Sequence, residues 1–381
     1  MLTREALTSL LQSLEGRHVL SVYIDGRAPD PAGRRGWRAG LTKSLTALRH
    51  TLANGKPAEL AEFDRCEARL RTLVDPKPGA LRAQGWVAFV TEDTVALAED
   101  LPVAMPNVAR WTMGPWVSPY IRAQKELRAV ILAVVDARSA RTFRYAEGAL
   151  TPLIRIHAHA RIDEPSHMGA APRASFHTGT RGATASEVVE RSRQEATHHM
   201  LRELVDHILQ LAASDSWILI GGMPNTADLA MAMLPQNVHA RTGRVARLNQ
   251  LTPPAELRRA ASAGARKLRR ALDDQIVDAV ISQASGHGRG AIGESATRHA
   301  LWSDAVHVLL LTTRFLAERP DATEEMTRRA LASGASVEIV AGEAADRLDN
   351  AGGIGGALRF HAAAESSEET SSAATDLVAR P

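Results

Sequence analysis

A single cysteine, Cys66, stands in the 381 residues. No disulfide can form within the chain, and nothing points to an oxidising compartment. Long apolar runs are also missing: the longest aliphatic stretch, 129–135, is far short of the roughly 20 residues that a membrane-spanning helix needs. Arg4 and Glu5 interrupt the apolar pattern of the opening MLTREALTSLLQSLEGR. Secretion and membrane insertion are therefore not expected, and a cytoplasmic location without a membrane partner is. Ser21, Ser186 and Ser192 lack a G-x-S-x-G setting, which leaves nucleophilic serine catalysis unsupported. The glycines of GHGRG (286–290) and those around Gly353 are not followed by Gly-Lys-Ser/Thr, so they read as linker and turn rather than phosphate loops. No cofactor is expected.

Hydrophobic residues make up 45% and charged residues 23% of the chain, which is ordinary for a globular protein. The length suits two or three domains, each with its own core. Aromatics at 4%, with abundant Ala and Arg, fit a GC-rich bacterial coding bias. The net charge of +3 would decide little if it were evenly spread. Residues 27–56, however, hold seven Lys or Arg against one acid, Asp30, and residues 239–270 hold nine against one acid, Glu256. Such clusters are a footprint for polyanions; the plainer alternative is a pair of solvated helix faces on an Arg-rich protein.

Hydrophobic periodicity and breakers divide the chain into an α/β protein of three domains. An N-terminal domain (1–125) is read as a helix at 4–14, a strand at 18–26, helices at 35–52 and 58–74, and strands at 86–91 and 94–99. The proline-punctuated stretch 102–119 reads as a passage between units. A middle domain (126–284) alternates strands (129–136, 142–146, 152–157, 217–222) with helices (185–213, one ending near 234, and 254–282), implying a parallel or mixed sheet. A C-terminal α-β-α domain (285–361) follows, and a Ser, Ala, Glu and Thr tail (362–381) is expected to be disordered. Between strand 152–157 and helix 185–213 lies an exposed loop, 158–186, whose portion GAAPRASFHTGTRGATAS has three glycines and no acid. A loop of that length without its own secondary structure is usually functional.

Two strings carry a resemblance. VEIVAGEAADRLDNAGGIGGALRF (337–360) reads as a strand, a short acidic helix, a glycine turn at Gly352 and Gly353, and a closing edge strand. Behind the loop, Arg193, Glu195, Ala196 and His198 form an Arg-x-Glu-Ala-x-His spacing. Together and in this order they resemble the archaeo-eukaryotic class I release factors and Pelota. The match is best with their bacterial relatives, which include hibernation-factor-like members such as Balon. The resemblance implies a release-factor-like middle domain and a C-terminal domain resembling the L7Ae-like fold. It also implies binding to the ribosome or tRNA, with a translational GTPase as a further partner, in hibernation, rescue or quality control.

Counting back from Arg193 places the family's Gly-Gly-Gln on Gly182, Ala183 and Thr184. Ala183 adds a Cβ where the family's backbone approaches the ester, and Thr184 is too short to reach as Gln does. The family's Asn-Ile-Lys-Ser decoding tetrapeptide is absent as well. Ribosome or tRNA binding without catalysis is thus expected, through Arg173, Arg181, Gly182, Arg191 and Arg193 around the loop, and Arg34, Arg35, Arg38 and Lys43 in the first domain. A diverged peptidyl-tRNA hydrolase using Gly182 and Thr184 is one alternative. A metal- or small-molecule-binding stress protein is another, with His157 and His159 on one face of a strand as ligands and Asp163 or Glu195 nearby.

Overall fold

A computed structural model describes residues 1–27, 36–77, 81, 83–159, 185–213, 215–286 and 288–360. The chain is mixed α/β, and its described residues build three separate sheets. It opens with α1 (Arg4–Ser13), capped by the Thr3 side chain, which accepts from the Ala6 amide at 3.2 Å.

The first sheet contains β1 (His18–Asp25), β2 (Gly85–Val90), β3 (Val95–Leu101) and β4 (Val108–Met113), in the order β3-β2-β1-β4 with every pairing antiparallel. Alternation along β1 sends Leu20, Val22 and Ile24 to one face. There they meet Trp37, Leu41 and Leu45 of α2 (Gly36–Gly55) and Phe63, Cys66 and Leu70 of α3 (Pro57–Val74). Burial pushes the Cys66 thiol up to about 12, so this cysteine is a small core side chain and not a nucleophile. β4 falls inside the stretch read from sequence as a passage. Prolines on either side of VARWTM masked a strand that pairs with β1 from His18↔Met113 to Tyr23↔Val108.

After α4 (Ser118–Glu126) comes the middle sheet: β5 (Val130–Val135), β6 (Ser139–Ala146), β7 (Ala149–His157), β8 (Trp217–Gly222) and β9 (Thr242–Val245), ordered β7-β6-β5-β8-β9. β5, β8 and β9 run parallel, and β6 and β7 are antiparallel. β5 and β8 are apolar throughout because helices cover both of their faces. On one side Ile131, Ala133, Val135, Ile218 and Ile220 meet α5 (Ala185–Leu211) and α6 (Pro224–Ala232). On the other, Val130, Leu132, Val134, Trp217 and Leu219 meet Leu257 and Ala261 of α7 (Pro254–Ser285). β9, only four residues long and half-buried, has no alternation to reveal it in the sequence.

The third sheet joins β10 (Gly290–Ile292), β11 (Val306–Thr312), β12 (Ser336–Val340) and β13 (Ile354–Leu358) in the order β10-β13-β11-β12. Around it pack α8 (Glu294–Trp302), α9 (Thr313–Glu318), α10 (Pro320–Ala332) and α11 (Glu343–Asn350). The closing strand β13 is interior, not an edge: the short β10 pairs along its outer side. Its small residues answer to that position, since a Cβ on Gly355 would lie 3.1 Å from the Ala291 carbonyl oxygen. Gly352 and Gly353 have φ of 109° and 75°, as the turn requires.

Two compact units result. Gly16–Pro115 and Arg122–Leu272 form one; Leu2–Glu15, Trp116–Ile121 and the described residues from Asp273 onward form the other. In the second unit α1 contacts α10, and the Leu2 amide donates to the Tyr120 hydroxyl at 2.7 Å. The fully buried Glu324 carboxylate accepts from the Val117 amide at 2.8 Å and the Ser118 hydroxyl at 2.8 Å, so it caps the start of α4.

Candidate nucleic-acid interface

The parallel neighbours β5 and β8 end side by side, with Val135 opposite Gly222. Ligand-contacting loops gather at this carboxyl end in open α/β sheets, and here several segments are pinned to it. The Asp136 carboxylate accepts from the Arg138 and Ser139 amides at 2.7 and 2.8 Å, closing the β5–β6 turn. The Met223 amide donates to the Val135 carbonyl at 2.9 Å, and only glycine fits at 222, where a Cβ would lie 1.9 Å from that carbonyl oxygen. Gln250 Nε2 donates to Val134 and Ser139 carbonyls, both at 3.0 Å.

α5 is anchored at the same end. Met200, Leu201, Leu204, Val205 and Ile208 bury its inner face against the sheet, and Thr197 Oγ1 donates to the Ala137 carbonyl at 2.8 Å. Residues on the N-terminal side of Thr197 lie past this attachment. Arg191, Arg193 and Glu195 are exposed there, His198 is exposed just inside it, and Ala196 is half-buried. The helix thus presents two exposed guanidinium groups on the N-terminal side of its anchor. Arg173, Arg181, Gly182, Ala183 and Thr184 lie outside the described residues, as do Arg34, Arg35, Asp163 and the tail 361–381.

Spatial neighbours change the reading of the first basic cluster. Arg49 pairs with Asp64 at 2.8 Å and Glu67 at 3.1 Å, Lys56 with Glu59 at 2.9 Å, and Arg27 with Asp25 at 2.9 Å. Arg38 donates to the Val74 and Asp75 carbonyls, both at 3.3 Å, where it closes the C-terminal end of α3; its guanidinium lies 4.9 Å from the Trp37 ring. Lys43 is exposed. Two cations of this acid-poor run, Arg49 and Lys56, are therefore matched in space by carboxylates from α3, which sequence proximity could not reveal. In the second cluster, Arg241 donates to the Ala213 and Ser216 carbonyls at 2.6 and 2.9 Å, and burial pushes its pKa down. Arg244 binds the Pro224 carbonyl and the Asp228 carboxylate.

His157 ends β7 and His159 follows it, both exposed. Among the described residues no group of three His, Cys, Asp or Glu side chains is placed to hold a metal ion. Nor does any described helix have the length and apolar character to cross a membrane.

Residues 115–266 match the family model of the bacterial archaeo-eukaryotic release factor family 10. The middle of this chain is similar to a release-factor domain. Its match takes in α4, the whole middle sheet, α5 and the first part of α7. The chain is also similar to solved structures. Pelota from Archaeoglobus fulgidus is 14% identical, with 73% of this chain and 80% of that chain covered and a TM-score of 0.33. Dom34 of S. cerevisiae, a translation termination-like factor, is 10% identical over 72% and 81%, with a TM-score of 0.42. An archaeal Pelota described in a ribosome-bound state with ABCE1 is 13% identical over 94% and 95%, with a TM-score of 0.42. No curated protein matches the sequence. Within the matched residues, the Arg193, Glu195, Ala196 and His198 string lies on the part of α5 that brackets its anchor at Thr197.

Proposed function

We propose that this chain is a ribosome- or tRNA-binding translation factor of the cytoplasm, working in hibernation, rescue or quality control without hydrolysing peptidyl-tRNA. The observation that carries the proposal is the release-factor family match over 115–266, in which Ala183 and Thr184 stand where the family has Gly and Gln. Exposed Arg191 and Arg193, on the anchored helix next to the loop, support a phosphate contact there. Arg173 and Arg181 extend the same set along the sequence. The three sheets support a division into three domains, with 1–125, 126–284 and 285–361 as their spans. A translational GTPase is the expected partner of this lineage.

Sedimentation of the purified chain with ribosomes tests the proposal. The chain should pellet with them at low salt and dissociate steeply as salt rises, because each neutralised phosphate contributes about 0.7 to 0.9 to the log–log slope. Absence from the pellet at low salt, with both empty and tRNA-loaded ribosomes, would remove it.

A further inference from the structure

The basic residues of α7 belong to none of the contacts described so far. Arg258, Arg259, Arg266, Lys267, Arg269 and Arg270 fall within thirteen residues, and no acid occurs from Leu257 to Leu272. At about 100° per residue, the five arginines share an arc of about 120°, with Lys267 about 60° beyond it. Leu257, Ala261, Leu268 and Leu272 occupy the opposite arc and pack on the middle sheet. Gly264 lies on that inner arc as well, and a Cβ there would lie 2.6 Å from Leu219 Cδ1, so the helix is seated close against β8. Five of the six cations are exposed and Arg269 is half-buried. The stripe runs for about 18 Å along a straight element.

Several arginines on other elements are matched by acids. Arg49, Arg65, Arg298 and Arg347 each pair with a carboxylate on a neighbouring element. Among the described residues no carboxylate pairs with any of the α7 six; the one side-chain hydrogen bond runs from Arg266 Nη1 to Ser262 Oγ at 2.7 Å. Placing Arg266 and Arg270 four residues apart sets like charges against each other, and cations in the N-terminal turns oppose the helix macrodipole. Local stability does not explain the pattern; a polyanionic partner does.

We infer that this face of α7 is a second RNA-contact surface, fitted to the phosphate backbone of duplex RNA, on the side of the middle sheet opposite α5. α7 contains no aromatic residue, so it has no platform on which unpaired bases could stack. Its apolar face is buried against the sheet, leaving nothing to insert into a bilayer. A line of positive charge along one helix face fits a continuous backbone. The inference deepens the ribosome or tRNA reading and rests on it for the class of partner. The duplex contact can nevertheless be measured without ribosomes.

The test uses the full chain and fluorescence anisotropy with a generic RNA duplex of about 20 base pairs, beside a single strand of equal length. Arg259→Gln, Arg266→Gln, Lys267→Gln and Arg270→Gln together should lower duplex affinity at least tenfold. They should also flatten the log–log salt slope by about 3.6, at about 0.9 for each of the four contacts. The melting temperature should hold or rise, because repulsion within α7 is relieved. Duplex affinity and slope unaltered by the α7 substitutions would overturn the inference, as would binding confined to single strands, anionic vesicles or an acidic polypeptide. Duplex binding that depends on α7, in a chain that does not sediment with ribosomes, would support this surface and sink the ribosome reading. Ribosome binding by a chain with no duplex affinity would do the reverse.

Discussion

Two single positions show how local geometry limits substitution. Gly353 sits at a φ of 75°, and a Cβ there would lie 3.1 Å from Phe315 Cβ; its amide donates to the Leu348 carbonyl and its carbonyl accepts from the Thr312 amide. Gly353→Ala should therefore destabilise by about 1 to 2 kcal/mol from the left-handed conformation alone, read as a lower urea midpoint at unchanged slope. Glu324 makes a different prediction. Burial pushes its carboxyl above the ordinary glutamate value of 4.5, against the opposing pull of the Val117 amide, Ser118 and Arg328. The folded chain then holds this proton more tightly than the unfolded chain does. That contribution to stability is complete below about pH 4.5 and is lost as pH rises through the folded-state pKa. Glu324→Gln has no such proton to lose, so as pH rises above about 4.5 its melting temperature should fall less than that of the natural chain. Parallel curves for the two proteins would show that the buried carboxyl does not carry this dependence.

Helix α5 separates binding from folding along one element. Its inner face is core: Leu204 is fully buried among Ile131, Ile218 and Ile208, and Leu204→Ala should destabilise by about 2 to 5 kcal/mol through lost contacts and a cavity. Its N-terminal end carries exposed Arg191 and Arg193, whose replacement by alanine should change stability by about 0.5 kcal/mol or less while weakening ribosome binding and flattening its salt dependence. Chemical denaturation and ribosome sedimentation of the same two variants make the comparison. A double arginine variant that sediments as the natural chain does would move the contact elsewhere. This helix was legible because its apolar spacing runs unbroken from Met200 to Ile208. β4 was not, because a strand flanked by prolines declares itself only when β1 supplies its hydrogen bonds.

At the scale of the molecule, the proposed loss of hydrolysis follows from Ala183 and Thr184. Release of peptide from peptidyl-tRNA on ribosomes should be negligible for the natural chain. Ala183→Gly with Thr184→Gln should raise it to a detectable trace, since the pair restores close backbone approach and the longer amide side chain. Rapid turnover by the unmodified chain, measured with labelled peptidyl-tRNA, would instead establish the hydrolase alternative. The order of the compact units also departs from the order of the chain. α1 and Trp116–Ile121 sit with the residues after Asp273, held by bonds such as Leu2 to Tyr120 across 118 positions. No local pattern in MLTREALTSLLQSLEGR could announce a partner that far away.

What could be learned from the chain alone was whatever short-range periodicity and composition encode: the α/β class, the long helices, the buried runs of β5, β8 and β11, and the glycines that a positive φ demands at 352 and 353. Those properties follow from the backbone and from neighbours within a few residues. Strand order, the interior place of β13, and the difference between the two basic clusters required the tertiary structure. Residues 27–56 looked as acid-poor as 239–270, yet α3 brings Glu59, Asp64 and Glu67 against Lys56 and Arg49, whereas the outer face of α7 keeps its six cations free of carboxylate partners among the described residues. Charge acts over a few ångströms of space, not along sequence, so only the packed chain decides which arginines are left to meet a phosphate.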